Sequence, residues 1–233
     1  MCNSRWKEGM HKAVGIAAVA LLAAGCASKP VSKPVTASDR VDLDRISCNE
    51  VVQPEQQVQI EMIDSLMSRD RDHAALAKIE DQPLSTVEHW LRYGQLKAAT
   101  GQLDDAQAIF EVLVDKCGTG ESHHGLGMVL LKKDDVLASL DHLKVARERA
   151  PASSQVRNDY GYVLMLVGHY KEAAYELRTA MELANGQGPV RQNLAVAFLL
   201  TDDEDGLRWM KKEYDFNADE LAYAKQLAGH FVR

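Results

Sequence analysis

The stretch Trp90-Leu-Arg-Tyr-Gly94 recurs as His123-His-Gly-Leu-Gly127, Arg157-Asn-Asp-Tyr-Gly161 and Arg191-Gln-Asn-Leu-Ala195. The small residue closing each copy falls at 94, 127, 161 and 195, a spacing of 33, 34 and 34 residues. A companion pattern follows each copy. Twelve residues after the first three glycines stand Ala106, Ser139 and Ala173; four further on are Phe110, Leu143 and Leu177; three beyond those are Leu113, Ala146 and Ala180. Apolar residues at i, i+3, i+4 and i+7 mark one face of a helix. A generic helical bundle shows such a face too, but not a small residue returning at one period over four units. Two antiparallel helices approach closely only where side chains are small. Gly or Ala on the first helix is therefore expected to face Ala or Ser on the second, with Tyr93, Phe110, Leu126, Leu143, Tyr160 and Leu177 filling the space beside that contact.

The punctuation agrees. Gly118, Pro151 and Asn185 stand where each pair should stop. Gly101 and Gly168 fall in the turns within pairs, and Asp134 with Asp135 takes that place in the second. The opening pattern and its period resemble the tetratricopeptide repeat (TPR). The expected fold is all-α, a TPR helical-hairpin solenoid of about four repeats. Composition is compatible: hydrophobic residues make up 46% and aromatics 6%, so the core must be aliphatic and small.

The flanks are weaker. Residues 55–80 hold two helical patterns, with Ile60, Ile63 and Met67 in the first and Leu76 and Ile79 in the second, and read as a degenerate N-terminal pair. After Pro83, Ser85-Thr-Val-Glu88 reads as a capping box opening the first clear repeat. The helix after Thr201-Asp-Asp-Glu-Asp205 fits the pattern poorly, and Asn217-Ala-Asp-Glu220 is expected to cap a last helix that closes the solenoid.

The N-terminus is an address. Arg5, Lys7 and Lys12 precede an apolar run that ends Leu22-Ala-Ala-Gly25-Cys26. A basic start and an apolar run too short for a bilayer span read as a secretory signal. Its end resembles a bacterial lipobox, which implies cleavage before Cys26 and lipidation of the Cys26 thiol. Ala27, where an aspartate would imply retention in the inner membrane, implies an outer-membrane anchor facing the periplasm. Translation from Met1 or from Met10 would leave the same mature chain. The Pro-, Ser- and Lys-rich residues 27–40 read as a flexible tether. The expected organisation is a signal peptide over 1–25, the lipidated cysteine and tether over 26–44, an N-terminal helical segment over 45–84, and the TPR domain with its cap over 85–233. In an oxidising compartment Cys48 and Cys117 either bridge the start of the folded region to the first inter-repeat loop or remain two free thiols.

Nothing points to catalysis. The net charge is −7, with no Lys/Arg cluster beyond the N-terminus, so no nucleic-acid partner is expected. No phosphate loop, G-x-S-x-G, H-E-x-x-H or C-x-x-C occurs. His123 and His124 are adjacent and point about 100° apart on a helix, a poor metal pair. The acidic run 202–205 lacks calcium-loop spacing and reads as a solvated turn. Neither a cofactor, a metal nor a small-molecule substrate is expected, and an enzyme with an unrecognised site is the remote alternative.

What remains is a surface. In such superhelices the first helix of each pair lines the concave face. The groove positions are expected to be Leu91 and Gln95; His124, Met128 and Leu131; Asn158, Tyr162 and Met165; then Gln192, Val196 and Leu199. Asn and Gln can bond a peptide backbone in both directions. Met and Tyr offer adaptable apolar contact. Leu131, Val196 and Leu199 could equally pack against neighbouring helices or the C-terminal cap.

Residues 158–181, Asn-Asp-Tyr-Gly-Tyr-Val-Leu-Met-Leu-Val-Gly-His-Tyr-Lys-Glu-Ala-Ala-Tyr-Glu-Leu-Arg-Thr-Ala-Met, together with Val190-Arg-Gln-Asn-Leu-Ala195, resemble TadD-type proteins. These are TPR lipoproteins of tight-adherence (Flp pilus) systems. The resemblance spans the lipobox and roughly residues 86–210. It implies a non-enzymatic scaffold that binds protein partners, the secretin channel or other pilus-assembly proteins, while a lipid anchor holds it at the membrane. A TPR lipoprotein adaptor for cell-wall enzymes or for another secretion system is the alternative.

Overall fold

The computed structural model describes residues 42–231. The signal segment 1–25, Cys26 and most of the tether lie outside the described residues. Among those described are eleven α-helices, arranged as five hairpins and a closing helix. The hairpins are α1 (Pro54–Met67) with α2 (Asp72–Glu80), α3 (Val87–Ala99) with α4 (Leu103–Lys116), α5 (Gly120–Lys132) with α6 (Val136–Arg149), α7 (Ser154–Leu166) with α8 (Tyr170–Leu183), and α9 (Val190–Leu200) with α10 (Glu204–Tyr214). The closing helix is α11 (Ala218–Ala228). The fold is the expected helical-hairpin solenoid.

Small residues meet where the sequence pattern places them. A Cβ on Gly161 would lie 2.6 Å from the Leu177 side chain and 3.4 Å from the Ala173 carbonyl oxygen, so α7 and α8 can cross here only without a side chain. Phe110 does the same work between hairpins. Its ring would be 2.8 Å from a Cβ on Gly94 and 2.1 Å from one on Gly125, so it plugs the seam where α3, α4 and α5 meet.

Every hairpin turn uses one left-handed residue: Asp70 (φ 56°), Gly101 (85°), Asp134 (66°), Gly168 (80°) and Asp202 (54°). Asp is among the few residues that tolerate this region, its short side chain bonding locally. The acidic run at 202–205 is thus a hairpin turn followed by an N-cap, with Asp203 accepting the Gly206 N–H at 2.8 Å. The α9–α10 pair proves to be a full repeat. Its turn residue Asp202 and the start of α10 keep the spacing of the other pairs, but Leu207 stands where they have Ala or Ser, and the small residue that lies against Phe198 is Gly206, one position earlier. That shift hid it from the spacing pattern.

The capping box forms at Asn217 and Glu220, opening α11. At the start of α3 the structure differs from the sequence reading. Thr86 is the N-cap, and its Oγ1 shares a 2.9 Å hydrogen bond with His89 Nδ1. Ser85 Oγ instead accepts from Gln56 Nε2 of α1 at 2.8 Å.

Two cores divide the solenoid. One joins Ile63, Ile79, Trp90, Phe110, Leu113 and Leu126; the other joins Leu143, Tyr160, Leu177, Met181, Leu194 and Phe198. Cys48 and Cys117 form a disulfide. It pins the segment preceding α1 to the end of α4. There Ile46 is buried, and Lys116 Nζ donates to the Asp44 and Ile46 carbonyls at 3.0 and 3.2 Å.

Candidate protein-binding face

The first helices of successive hairpins are stitched by polar contacts. Arg92 of α3 makes a two-pronged bond to Asp64 of α1, both distances 3.0 Å. Lys132 of α5 reaches the Ala98 carbonyl of α3 at 3.1 Å. His124 Nε2 lies 2.7 Å from Asp159 Oδ2 of α7. Asn193 of α9 donates to Asn158 at 2.9 Å, and Asn158 donates to its neighbour Asp159 at 3.0 Å. These rungs hold the first helices side by side and define the inner face.

The groove positions read from sequence divide in three. Leu91, Met165 and Val196 are interior, 6%, 1% and 1% exposed, and pack into the two cores. This corrects their assignment to the surface. Each helix packs against both its hairpin partner and the preceding hairpin, so the apolar stripe turned inward is broader than a two-helix picture allows. Asn158 is likewise buried, its amide committed to Asp159 and its oxygen to Asn193. His124 is bonded to Asp159 and is a rung of the ladder, so it too is not free to meet a partner. Met128, Leu131 and Leu199 are half-buried against the second core. Gln192 is half-buried, with an Oε1 that has no hydrogen-bond partner among the described residues. Gln95 is exposed, one turn beyond Arg92 on the same helix face.

Tyr162 is half-buried for a reason that sequence spacing does not reveal. The Phe231 ring stands edge-on to it, centroids 6.2 Å apart at 84°. α11 packs along α9 rather than against α10, which precedes it. The inner face is therefore in two states. Over α1, α3 and α5 it is open and polar, with Arg92, Gln95 and Lys132 reaching solvent. Over α7 and α9 it is covered by α11 and the residues after it.

Charges at core register proved the informative signal that spacing alone missed. The position held by Trp90 in α3 is His123 in α5, Arg157 in α7 and Arg191 in α9. Each must find a partner. His123 meets His142 of α6 across 3.1 Å, and burial, then His142 and Arg149, hold its pKa below the ordinary imidazole value. Arg157 and Arg147 converge on Glu176, which is 2% exposed, with Arg147 at 2.6 Å. Arg191 pairs with Glu220 of α11. The hydrogen bond from Arg191 holds the Glu220 carboxyl below its ordinary range.

Among the described residues no group of three or more His, Cys, Asp or Glu could hold a metal. None of the described helices is long and apolar enough to cross a membrane. Shallow clefts occur, such as one of about 300 Å³ lined by Glu55, Gln56, Gln59, Lys78, Gln82 and His89.

No protein-family model matches the chain. The chain is 30% identical over 204 residues to the TPR repeat-containing protein PA4299 of Pseudomonas aeruginosa, covering 87% of this chain and 79% of the other. Solved structures of similar fold include the thermophilic TPR protein TTC0263 of Thermus thermophilus, with a TM-score of 0.57, 18% identity and coverage of 73% of this chain and 97% of that one. Another is YrrB, a TPR protein with an unusual peptide-binding site, with a TM-score of 0.52, 21% identity and coverage of 72% and 90%.

Proposed function

Because the chain belongs to the TPR repeat-containing proteins, a fold that serves as a protein-binding scaffold, we propose that it is an outer-membrane-anchored periplasmic scaffold. Its role is to hold protein partners during assembly of a Flp/tight-adherence pilus secretion apparatus, with the secretin channel as the partner. The reading is carried by one conjunction: a lipobox-like sequence at Cys26 precedes a solenoid whose inner face over α3 and α5 is open. The resemblance of residues 158–181 to TadD-type proteins supports the pilus system. The Cys48–Cys117 disulfide supports an oxidising compartment such as the periplasm. The peptide-binding site named for YrrB supports a peptide-holding role for this fold.

The mechanism is local concentration. A lipid tether confines the solenoid near the membrane and raises the effective concentration of whatever the inner face captures. The chain works by holding and not by chemical turnover.

The test is in-cell photo-crosslinking from Gln95, with mass spectrometry of the adduct. A secretin or pilus-assembly protein is the expected product. A cell-wall enzyme would move the reading to an adaptor of that machinery. Adducts from exposed α6 or α8 positions, with none from Gln95, would place the binding surface on the opposite side.

A further inference from the structure

The covered half of the inner face has the construction of a receptor. Arg191 is held in place by the backbone. Its Nη1 donates to the Gly186 and Tyr214 carbonyls at 3.1 and 3.0 Å. That leaves Nε and Nη2 presented side by side, and both bond the Glu220 carboxylate, at 2.8 and 3.0 Å. A guanidinium fixed by other contacts and offering a parallel pair of donors is preorganised for a carboxylate. In the same turn of α9, Gln192 Oε1 is buried without a partner among the described residues, an acceptor that α11 leaves unmet.

The occupant shows what the face takes. From Glu220, α11 presents Leu221, Ala224, Leu227 and Ala228, then Phe231 against Tyr162, while the Phe231 carbonyl accepts the Tyr170 hydroxyl at 2.9 Å. This is the spacing of an amphipathic helix laid into a groove. It packs chiefly on one helix, α9. Ala224 is buried outright, Leu221, Leu227, Ala228 and Phe231 are half-buried, and Tyr223 on the opposite side is exposed. Phe216 just before it is buried beneath the Arg191 guanidinium, so α11 can lift from Asn217 without disturbing that anchor. A last helix packed against one neighbour opens more readily than α9, which is packed on several sides.

We propose that the face formed by α7 and α9 is a docking site for an amphipathic helix of a partner protein, held closed in cis by α11. The partner helix carries a carboxylate in its first turn for Arg191. Its apolar side chains follow at i+4 and i+7, and an aromatic follows about three turns on for Tyr162. The inference rests on the chain being a protein-binding scaffold and adds where and how one partner is admitted.

The test uses the full chain and a fluorescent synthetic peptide of residues 216–231 as a stand-in for the partner helix. Unlocking α11 by Glu220→Ala with Phe231→Ala is expected to tighten peptide binding about ten-fold or more over wild type, because cis occupancy lowers the competent fraction. Adding Arg191→Ala should remove that gain. Hydrogen exchange on the wild-type protein is expected to show α11 amides exchanging far faster than those of α9. Equal binding by wild type and the unlocked variant, or α11 amides protected as well as those of α9, would overturn the proposal. So would peptide uptake that tracks dimer formation, which would assign the site to a second copy. Gln95 lies in the open half, so failure of crosslinking there and failure of peptide binding here are separate results.

Discussion

Replacing both bridging cysteines, Cys48→Ser with Cys117→Ser, should loosen one half of this protein and leave the other alone. The disulfide closes a loop across a sequence separation of 69 residues, enclosing α1 to α4. Loop-closure entropy for that length comes to about 4 kcal/mol released to the unfolded chain. The native cost of the serines is small, because Cys48 is exposed and Cys117 half-buried. After substitution the leading segment is held by Ile46, whose burial contributes about 1.5–3 kcal/mol, and by the two bonds from Lys116. In a solenoid each hairpin contacts only its neighbours, so the loss should be local. Hydrogen exchange read hairpin by hairpin is the assay, with urea unfolding under non-reducing conditions beside it. Amides of α1 to α4 are expected to lose protection while those of α7 to α9 keep theirs. An unchanged urea midpoint, or protection lost evenly along the chain, would refute the reasoning.

Phe110→Ala is expected to cost about 3–5 kcal/mol, at the upper part of that range, because Gly94 and Gly125 have no side chains to collapse into the void. A urea-unfolding loss below about 1 kcal/mol would show that the seam can close. Tyr160 offers a pH test. Burial, then the charge and hydrogen bond of Glu172, raise its hydroxyl pKa to about 12. The stabilisation tied to its neutral form is complete below the ordinary tyrosine value of about 10 and is lost as the pH rises through the folded value. The ultraviolet difference between wild type and Tyr160→Phe should show a phenolate step near pH 12. A step at the ordinary tyrosine value would contradict the burial.

The sequence by itself determined the hairpin solenoid, because close helix crossings demand small residues and a stacked repeat demands that they return at one period. Gly94, Gly127 and Gly161 carried that signal without help from the structure. It weakened wherever geometry allowed a change of length. α2 is only nine residues long and α10 eleven, against fourteen in α4, α6 and α8, and Leu207 stands where the other second helices carry Ala or Ser, so both pairs escaped the count. Which groove positions are open could not be read from spacing. Leu91, Met165 and Val196 have the right period for the inner face, but whether such a position meets solvent depends on neighbours from other hairpins. Only the tertiary structure decided that Tyr162 lies beneath Phe231, because that contact joins residues far apart in the chain through the path α11 takes along α9. The pairing of Cys48 with Cys117 is of the same kind: composition and compartment allow it, and the folded chain alone brings the two sulfurs together.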